Sequence, residues 1–257
     1  MIFDTHAHYD DEAFAQDRDE LLASMPKQGV TGIVNVGASW RGVLASQELA
    51  AKYPHVYAAA GVHPDEVGCM NEQRLLDLYE FCRNPRTVAV GEIGLDYYWD
   101  KEAHEFQKLW FVKQLQMAKE TGLPVNVHSR EAAQDTFDIM KREHAGTTGG
   151  IIHCFSSSPQ MALEYVKLGY HIGIGGVVTF KNARVLKEVV EALPLDKIVI
   201  ETDCPYLSPA PNRGKRNTSL YLPLVVEEIA RIKGMTAEEV EQVTYQNALD
   251  VYKRIEK

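Results

Sequence analysis

The sequence predicts an α/β protein of the (β/α)8 TIM-barrel class, folded as a single domain over residues 1–257 with an extra C-terminal helix. Short β-branched or apolar segments alternate with segments of helical periodicity eight times along the chain. This alternation indicates a parallel sheet with helical connections. The length of 257 residues suits one barrel, and a hydrophobic content of 45% is enough to form its core.

Eight segments are predicted to be strands, because each is short, apolar or β-branched, and bounded by turn-forming residues. They span residues 2–8, 31–38, 56–63, 87–95, 124–129, 150–155, 170–175 and 198–203. An open doubly wound sheet is the alternative architecture. No G-x-G-x-x-G turn follows the first strand, which argues against a dinucleotide-binding fold.

Helices are predicted between the strands. The clearest spans about 102–121, where one face carries four large apolar residues: Phe106, Leu109, Trp110 and Met117. Others are expected near 11–27, 42–52, 73–82, 131–142, 159–168 and 184–193, and two more close the chain near 222–233 and 236–255. Thr236 and Glu239 form a capping box for the last helix.

Composition limits the classes of function. The formal net charge is −9, and an acidic surface disfavours broad, non-specific coating of nucleic acid while allowing a local contact. The four cysteines have no C-x-x-C spacing, so we expect reduced thiols rather than a zinc knuckle or redox pair. No signal-like or membrane-length apolar segment is present. We expect a cytoplasmic protein with no membrane association, and no obligate protein partner is evident.

The segment Asp4-Thr5-His6-Ala7-His8 carries the first candidate site. Side chains two residues apart point to the same face of a strand, so His6 and His8 can share one cation through their imidazoles. Catalytic residues of a barrel lie at the C-terminal ends of its strands. Six potential metal ligands fall at such predicted ends: His6, His8, Glu92, His128, His153 and Asp203. Their convergence favours a metal site over histidines that merely pack or face solvent.

Four imidazoles and two carboxylates are more ligands than one ion needs. Two divalent ions bridged by Glu92 would use the whole set, and paired ions can activate a water and stabilise a leaving oxygen. Asp203 is the candidate acceptor for the proton of that water, so Asp203 and Glu92 are the candidate catalytic residues. Mixed nitrogen and oxygen ligands suit zinc, manganese or iron, and magnesium less well.

Successive motifs along nearly the whole chain resemble those of the TatD-type metal-dependent DNases, within the wider amidohydrolase-like group. They are Asp4-Thr-His-Ala-His8, Gly61-Val-His-Pro64, Gly91-Glu-Ile-Gly-Leu-Asp96, Val127-His-Ser-Arg130, His153-Cys-Phe-Ser156 and Glu201-Thr-Asp-Cys-Pro-Tyr206. The resemblance implies a (β/α)8 fold, a two-metal hydrolytic centre and hydrolysis of phosphodiesters, often from the 3′ end of DNA.

The resemblance also implies ligand sets. His6, His8, Glu92 and Asp203 would hold one ion, and Glu92, His128 and His153 would hold the other. Related barrels often bridge their ions with a carboxylated lysine at strand four, whereas Glu92 agrees with the DNase branch. The basic segment 213–217 resembles a further family motif, but Thr218-Ser219 follows its asparagine where the family commonly has Glu-Pro.

Four further residues are candidates for substrate binding. His63 is expected at the mouth, to contact a substrate phosphate or support the metal shell, or else to anchor its loop. Arg213 is the strongest phosphate-binding candidate among the basic residues after strands five, seven and eight, although such a cluster is often just a solvated surface. Tyr206 is expected to stack on a base or to pack. Glu201 is expected one layer deeper, to orient an imidazole or to remain a buried acid.

Three functions compete. The leading hypothesis is a divalent-metal deoxyribonuclease that acts on DNA ends, with single-stranded ends as the expected partner and 3′–5′ exonuclease activity. The second is hydrolysis of a small ester, amide or lactone at the same centre, which the acidic surface favours because a small substrate needs no extended phosphate track. The third is a metal-stabilised binding module, and a complete ligand set with a proton acceptor argues against it.

Overall fold

Eight parallel strands form one sheet whose order follows the chain from β1 to β8. The computed structural model describes residues 1–99, 103–143 and 145–255. The strands are β1 (Ile2–Ala7), β2 (Val30–Val36), β3 (Val56–Ala59), β4 (Thr87–Asp96), β5 (Val125–Arg130), β6 (Gly150–Ile152), β7 (Tyr170–Ile174) and β8 (Ile198–Ile200). The ring closes just beyond β8, where Ala7 pairs with Cys204 in a parallel bridge. The predicted single-domain (β/α)8 barrel is confirmed.

Among the described residues, seven α-helices connect consecutive strands on the outside of the sheet, and two more follow β8. They are α1 (Arg18–Ser24), α2 (Trp40–Lys52), α3 (Glu72–Arg83), α4 (His104–Thr121), α5 (Ala133–Arg142), α6 (Pro159–Lys167), α7 (Arg184–Ala192), α8 (Leu222–Lys233) and α9 (Ala237–Val251). The predicted start of α4 at residue 102 lies outside the described residues. The helix predicted at 11–27 is divided, since 3-10 turns at Glu12–Phe14 and Met25–Gln28 flank α1. Pro26 lacks the N–H that a continuous α-helix would need there.

Three strands are shorter than predicted. The sequence pattern placed the ends of β3, β6 and β8 at residues 63, 155 and 203, whereas these strands end at residues 59, 152 and 200. Cys154 and Asp203 adopt left-handed φ values of 45° and 55°, which turn the chain out of the extended conformation. His153 and Asp203 therefore lie on loops just beyond their strands, and His63 lies on the loop after β3.

The C-terminal helix α9 closes the N-terminal end of the barrel. Ala248 and Leu249 on this helix, and Tyr252 just after it, share one apolar cluster with side chains from six strands, including Phe3 of β1. The Tyr252 hydroxyl lies 2.9 Å from the Thr5 carbonyl oxygen and 3.1 Å from the Asn126 side-chain oxygen. The predicted extra helix thus covers the end opposite the predicted ligands.

The four apolar residues that are predicted to share one face of α4 are not equally buried. Trp110 and Met117 are buried, but Phe106 and Leu109 are 41% and 48% exposed. The predicted apolar face therefore overlaps the buried face only in part. The buried face also includes two glutamines, which occupy inward positions.

These glutamines clamp the backbone near the barrel mouth. The Gln107 side chain accepts the Asp96 N–H and donates to the Asp96 carbonyl, both at 2.9 Å. Gln114 makes the same pair of bonds with Val62, at 2.8 and 3.1 Å. A buried backbone group without a hydrogen-bond partner destabilises the fold. Each glutamine amide therefore makes the two backbone hydrogen bonds that a neighbouring strand would otherwise provide.

All four cysteines are free, as expected for reduced thiols. Among the described residues, no helix is both long enough and apolar enough to span a membrane.

Candidate metal centre

His6 and His8 lie together at the mouth where β1 ends, as their spacing predicts. Their Nε2 atoms are 3.1 Å apart. The Oδ1 atom of Asp203 lies 3.2 Å from His8 Nε2 and 3.9 Å from His6 Nε2. Glu92 Oε2 lies 3.7 and 3.4 Å from the same two nitrogens. These four side chains form a first donor group.

The other oxygen of Glu92 faces a second donor group. Glu92 Oε1 lies 2.9 Å from His128 Nδ1 and 2.8 Å from His153 Nε2, and these two nitrogens are 3.3 Å apart. His63 Nε2 is 3.7 Å from the same oxygen. All six predicted ligands therefore meet at one site, with one carboxylate shared between two groups of donors.

The spacing of the donor atoms suits bound cations. Ligands about 2.1 Å from a tetrahedral zinc ion lie about 3.4 Å from one another. The five separations in the first donor group range from 3.1 to 3.9 Å. Imidazole nitrogens with carboxylate oxygens are also the chemistry that zinc, manganese and iron accept. The residues present therefore fit a metal centre.

Hydrogen bonds on the outer nitrogens fix which side of an imidazole faces the site. His8 Nδ1 is 2.9 Å from the Val36 carbonyl oxygen, which only accepts, so Nδ1 carries a proton and Nε2 is the nitrogen that would bind a cation. His128 is turned the other way, because its Nε2–H donates to Asp96 Oδ2 at 3.0 Å while Nδ1 faces Glu92. Asp96 is the kind of carboxylate partner that metal-ligating histidines usually have.

Gly94 allows β4 and β5 to approach closely beside the second donor group. It pairs with His128 in the sheet and has a φ of +148°. A Cβ atom at this position would overlap the His128 carbonyl oxygen. Glycine is therefore required where β4 passes the strand that carries His128.

The buried carboxylate of Asp4 ties β1 to the segment after β8. Its Oδ2 accepts the hydroxyls of Thr202 and Ser219, both at 2.6 Å, and its Oδ1 accepts the N–H groups of Thr202 and His6 at 3.0 and 3.2 Å. Burial raises the pKa of Asp4 to about 6, although these hydrogen bonds oppose the rise. The departure from the family motif at Thr218-Ser219 thus supplies a structural hydroxyl behind the ligands.

Charges within the centre are strongly coupled. Burial alone would raise the pKa of Glu92, but the surrounding imidazoles, led by His153, hold it well below its usual range. Burial alone would lower the pKa of His8, but the carboxylates of Asp203 and Glu92 raise it to about 10. Imidazole binds a cation only when it is unprotonated. A metal ion would therefore displace protons that otherwise balance the carboxylates.

The donor groups lie in a cavity of about 700 Å³ at the barrel mouth. Two of the predicted substrate-binding residues, His63 and Tyr206, line it. Tyr206 is 56% exposed, and its hydroxyl donates to Asp11 Oδ2 at 2.9 Å. His63 Nδ1 accepts the Asp65 N–H at 3.2 Å, so its Nε2–H faces the donor groups. Burial lowers the pKa of His63 to about 3, which keeps this imidazole neutral.

Arg213 and Glu201 lie outside the set of described residues that line this cavity. The Arg213 guanidinium lies over the Phe180 ring, 4.1 Å from its centroid. Glu201 is fully buried, and its carboxylate accepts the Cys154 N–H. Its Oε1 is 3.7 Å from His153 Nδ1, beyond hydrogen-bond distance. Glu201 therefore supports the loop that carries His153 from below.

Two supporting carboxylates were missed by sequence reasoning. Asp96 lies four residues after Glu92 in the same strand, and the strand period of two would have placed both on one face. For Asp4 the available signal was an acid within an apolar strand, since buried acids are rare unless they are paired.

Comparison with known proteins finds relatives along the whole chain. The family model described as TatD related DNase matches residues 3–253. The uncharacterized metal-dependent hydrolase YabD of Bacillus subtilis (strain 168) is 42% identical over 253 residues, covering 98% of this chain and 99% of the relative. The uncharacterized metal-dependent hydrolase TatD of Mycobacterium tuberculosis is 35% identical over 260 residues, covering 98% and 97%.

Solved structures agree with these sequence relatives. The crystal structure of YJJV, a TatD homologue from Escherichia coli K12, superposes with a TM-score of 0.92 at 31% identity and covers 98% of both chains. A PTE-like lactonase mutant from Deinococcus radiodurans has a TM-score of 0.66 at 12% identity, with 98% of this chain and 95% of that chain covered. The second likeness concerns the fold alone.

Proposed function

The chain belongs to the TatD-related DNase family of metal-dependent hydrolases, and on that premise we propose that it cleaves phosphodiester bonds at DNA ends with two divalent ions. One observation carries the proposal. The two oxygens of Glu92 face different donor groups, at 2.8 to 3.7 Å from the surrounding imidazole nitrogens. A carboxylate in this position is suited to bridge a pair of ions.

The two donor groups divide the ligands between the ions. His6, His8, Asp203 and Glu92 Oε2 would hold one ion, and His128, His153 and Glu92 Oε1 would hold the other. When bound, such a pair lowers the pKa of a water and neutralises charge on a phosphate. The donor set suits zinc, manganese or iron, and magnesium less well.

Asp203 is the proposed proton acceptor. Its side chain is 18% exposed, whereas that of Glu92 is 4% exposed, so a water in the cavity can reach Asp203. Burial opposes ionisation of Asp203, but the hydrogen bond with His8 holds its pKa below its usual range. The carboxylate is therefore ionised and can accept a proton from a water whose own pKa a bound ion would lower. As the water oxygen bonds to phosphorus, the bond to the leaving sugar oxygen breaks, and Asp203 can return the proton to that oxygen.

The cavity also suits an end of a DNA strand. The donor groups lie within it, so a phosphodiester must enter the barrel mouth to react. The neutral His63 Nε2–H is placed to donate to a phosphate oxygen, and Arg130 lines the same cavity. Arg213, outside the cavity, is expected to contact a phosphate farther along the strand. We propose 3′–5′ polarity from the family resemblance.

A nuclease assay with labelled strands tests this proposal. Purified protein with manganese or magnesium should shorten single-stranded oligonucleotides, and 3′- and 5′-labels should report the polarity. Chelation should abolish turnover and added metal should restore it, which separates an enzyme from a binding module. His128→Ala should remove activity, whereas His55→Ala, at a residue before β3 at the other end of the barrel, should retain it. The proposal fails if the wild type leaves DNA intact or if His128→Ala cleaves it equally well.

Hydrolysis of a small ester, amide or lactone is the second candidate. A cavity of about 700 Å³ is the size of a small-molecule site, and the net charge of −9 opposes long-range attraction of DNA. A panel of small esters, amides, lactones and phosphodiesters, assayed beside the oligonucleotides, distinguishes the two. Faster turnover of a carbonyl substrate than of any phosphodiester would favour this second candidate.

A further inference from the structure

We propose that Trp99, supported by Tyr98 and Arg130, is a stacking site for an unpaired nucleobase and makes the enzyme select single-stranded DNA ends. This inference rests on the proposed function. Trp99 lines the cavity that contains the donor groups, and this residue is 66% exposed. An indole is thus presented to solvent next to the proposed site of hydrolysis.

The neighbours of Trp99 hold its ring in place. The Tyr98 ring meets it edge-on, with centroids 4.7 Å apart and planes at 89°. The Arg130 guanidinium carbon lies 3.9 Å from the Tyr98 centroid and 5.4 Å from that of Trp99. Edge-to-face and cation–π contacts of this kind are favourable. They also place a positive charge beside the ring, in the cavity that contains the donor groups.

One carboxylate fixes both the stacking residue and a proposed metal ligand. Asp96 Oδ1 accepts the N–H groups of Tyr98 and Trp99 at 2.8 and 3.3 Å, while its Oδ2 accepts from His128 Nε2. The loop that carries Trp99 is therefore tied to the second donor group. A base stacked on this ring would lie at a defined distance from the phosphate to be cleaved.

The chemistry of the cavity matches a nucleotide. Cations held by its donor groups would attract an anion, its Arg130 side chain is cationic, and Trp99 provides a flat aromatic face. Tyr206 and Leu207, on the loop after β8 across the ring from β4, add exposed apolar surface to the same cavity. Stacking accepts every base, so we expect little sequence preference. In a duplex the base must first leave its partner, which favours unpaired ends.

Removal of the Trp99 ring and removal of the base that stacks on it should both raise KM for DNA. We would measure cleavage of a short single-stranded oligothymidylate, and of the same strand with a tetrahydrofuran abasic residue at each position in turn. Trp99→Ala should raise KM by about 5- to 150-fold with little change in kcat, and Trp99→Phe should retain most of the affinity. At the one strand position whose base stacks on Trp99, the abasic residue should raise KM for the wild type. At that position it should raise the KM of Trp99→Ala little further, because the stack is already lost.

Binding gives a readout independent of turnover. Oligothymidylate should quench the indole emission of the wild type, and this quenching should vanish in Trp99→Phe, which keeps Trp40 and Trp110. Leu76→Ala is the matched control, because Leu76 on α3 is 58% exposed and lies outside the residues described as lining the cavity. It should leave KM and quenching unchanged.

The outcomes separate this inference from the proposed function. Two results would overturn the stacking site alone, given metal-dependent DNA cleavage. One is an unchanged KM in Trp99→Ala. The other is an abasic residue that, at every position, raises KM by the same factor in Trp99→Ala as in the wild type. Quenching at Trp99 without any DNA cleavage overturns the proposed function alone. The absence of both cleavage and quenching overturns both.

Discussion

Replacement of Asp96 by asparagine tests whether this carboxylate orients the second donor group. His128 donates to Asp96 Oδ2 at 3.0 Å, which leaves Nδ1 to face Glu92 Oε1 at 2.9 Å. Asparagine removes the charge and can offer its NH2 group instead, which would favour the wrong imidazole tautomer. A hydrogen bond to a charged group contributes about 1.5–3 kcal/mol. Loss of such a partner typically weakens metal binding roughly 10–100-fold.

We therefore expect Asp96→Asn to weaken one of two metal-binding steps by about 10–100-fold, or about 1.4–2.7 kcal/mol. The assay is titration of metal-free protein with zinc or manganese in competition with a chromophoric chelator. Asp135→Asn is the control, because Asp135 accepts the Tyr97 hydroxyl at 2.7 Å outside the described lining of the cavity. Equal metal affinities in wild type and Asp96→Asn, within twofold, would refute the orienting role.

Three further predictions concern stability. Gln114→Met should lower the free energy of unfolding in urea by about 2–4 kcal/mol, because the N–H and the carbonyl of Val62 both lose their hydrogen-bond partner. A loss below about 0.5 kcal/mol would show that these two hydrogen bonds do not stabilise the fold. Burial and the charge of Lys197 lower the pKa of His171 from 6.5 to about 4, so the unfolded state binds more protons and stability falls as pH drops from 6.5 towards 4. His171→Gln should remove up to about 2 kcal/mol of the loss measured between about pH 7 and 5, and an unchanged pH slope would count against it. Chelation should lower the midpoint of thermal unfolding. The free energy of unfolding should fall by about 2.7 kcal/mol if the ion had been present at roughly 100 times its Kd. An unchanged midpoint would argue against a bound metal.

Much of the fold and of the ligand set was predictable from local pattern. Alternating strand and helix periods identified the barrel, and the rule that barrel chemistry lies at the C-terminal strand ends brought His6 and His8 together with Glu92 and His128. These residues lie in or just after strands, where the period of two is informative.

The remainder depends on contacts that a local pattern does not encode. Asp203 reaches the site through a left-handed turn rather than through strand geometry, and few residues besides glycine adopt that conformation without support from their surroundings. Gln107 faces inward because it bonds backbone groups at Asp96, which apolar periodicity cannot reveal. Arg213 is predicted to bind phosphate from its position after β8, and its guanidinium lies over Phe180. Its phosphate contact stays a prediction.

The closing helix bears on when activity can arise during biosynthesis. The N-terminus of a growing chain leaves the ribosome first, so all six predicted metal ligands, from His6 to Asp203, emerge before α9. Until α9 has emerged, the interior of the barrel is open from below and the Thr5 carbonyl, next to His6, lacks its Tyr252 partner. We expect a nascent chain to bind divalent ions more weakly than the finished protein. Under the proposed function, an unfinished molecule would then be unable to cleave nucleic acid near the site of translation.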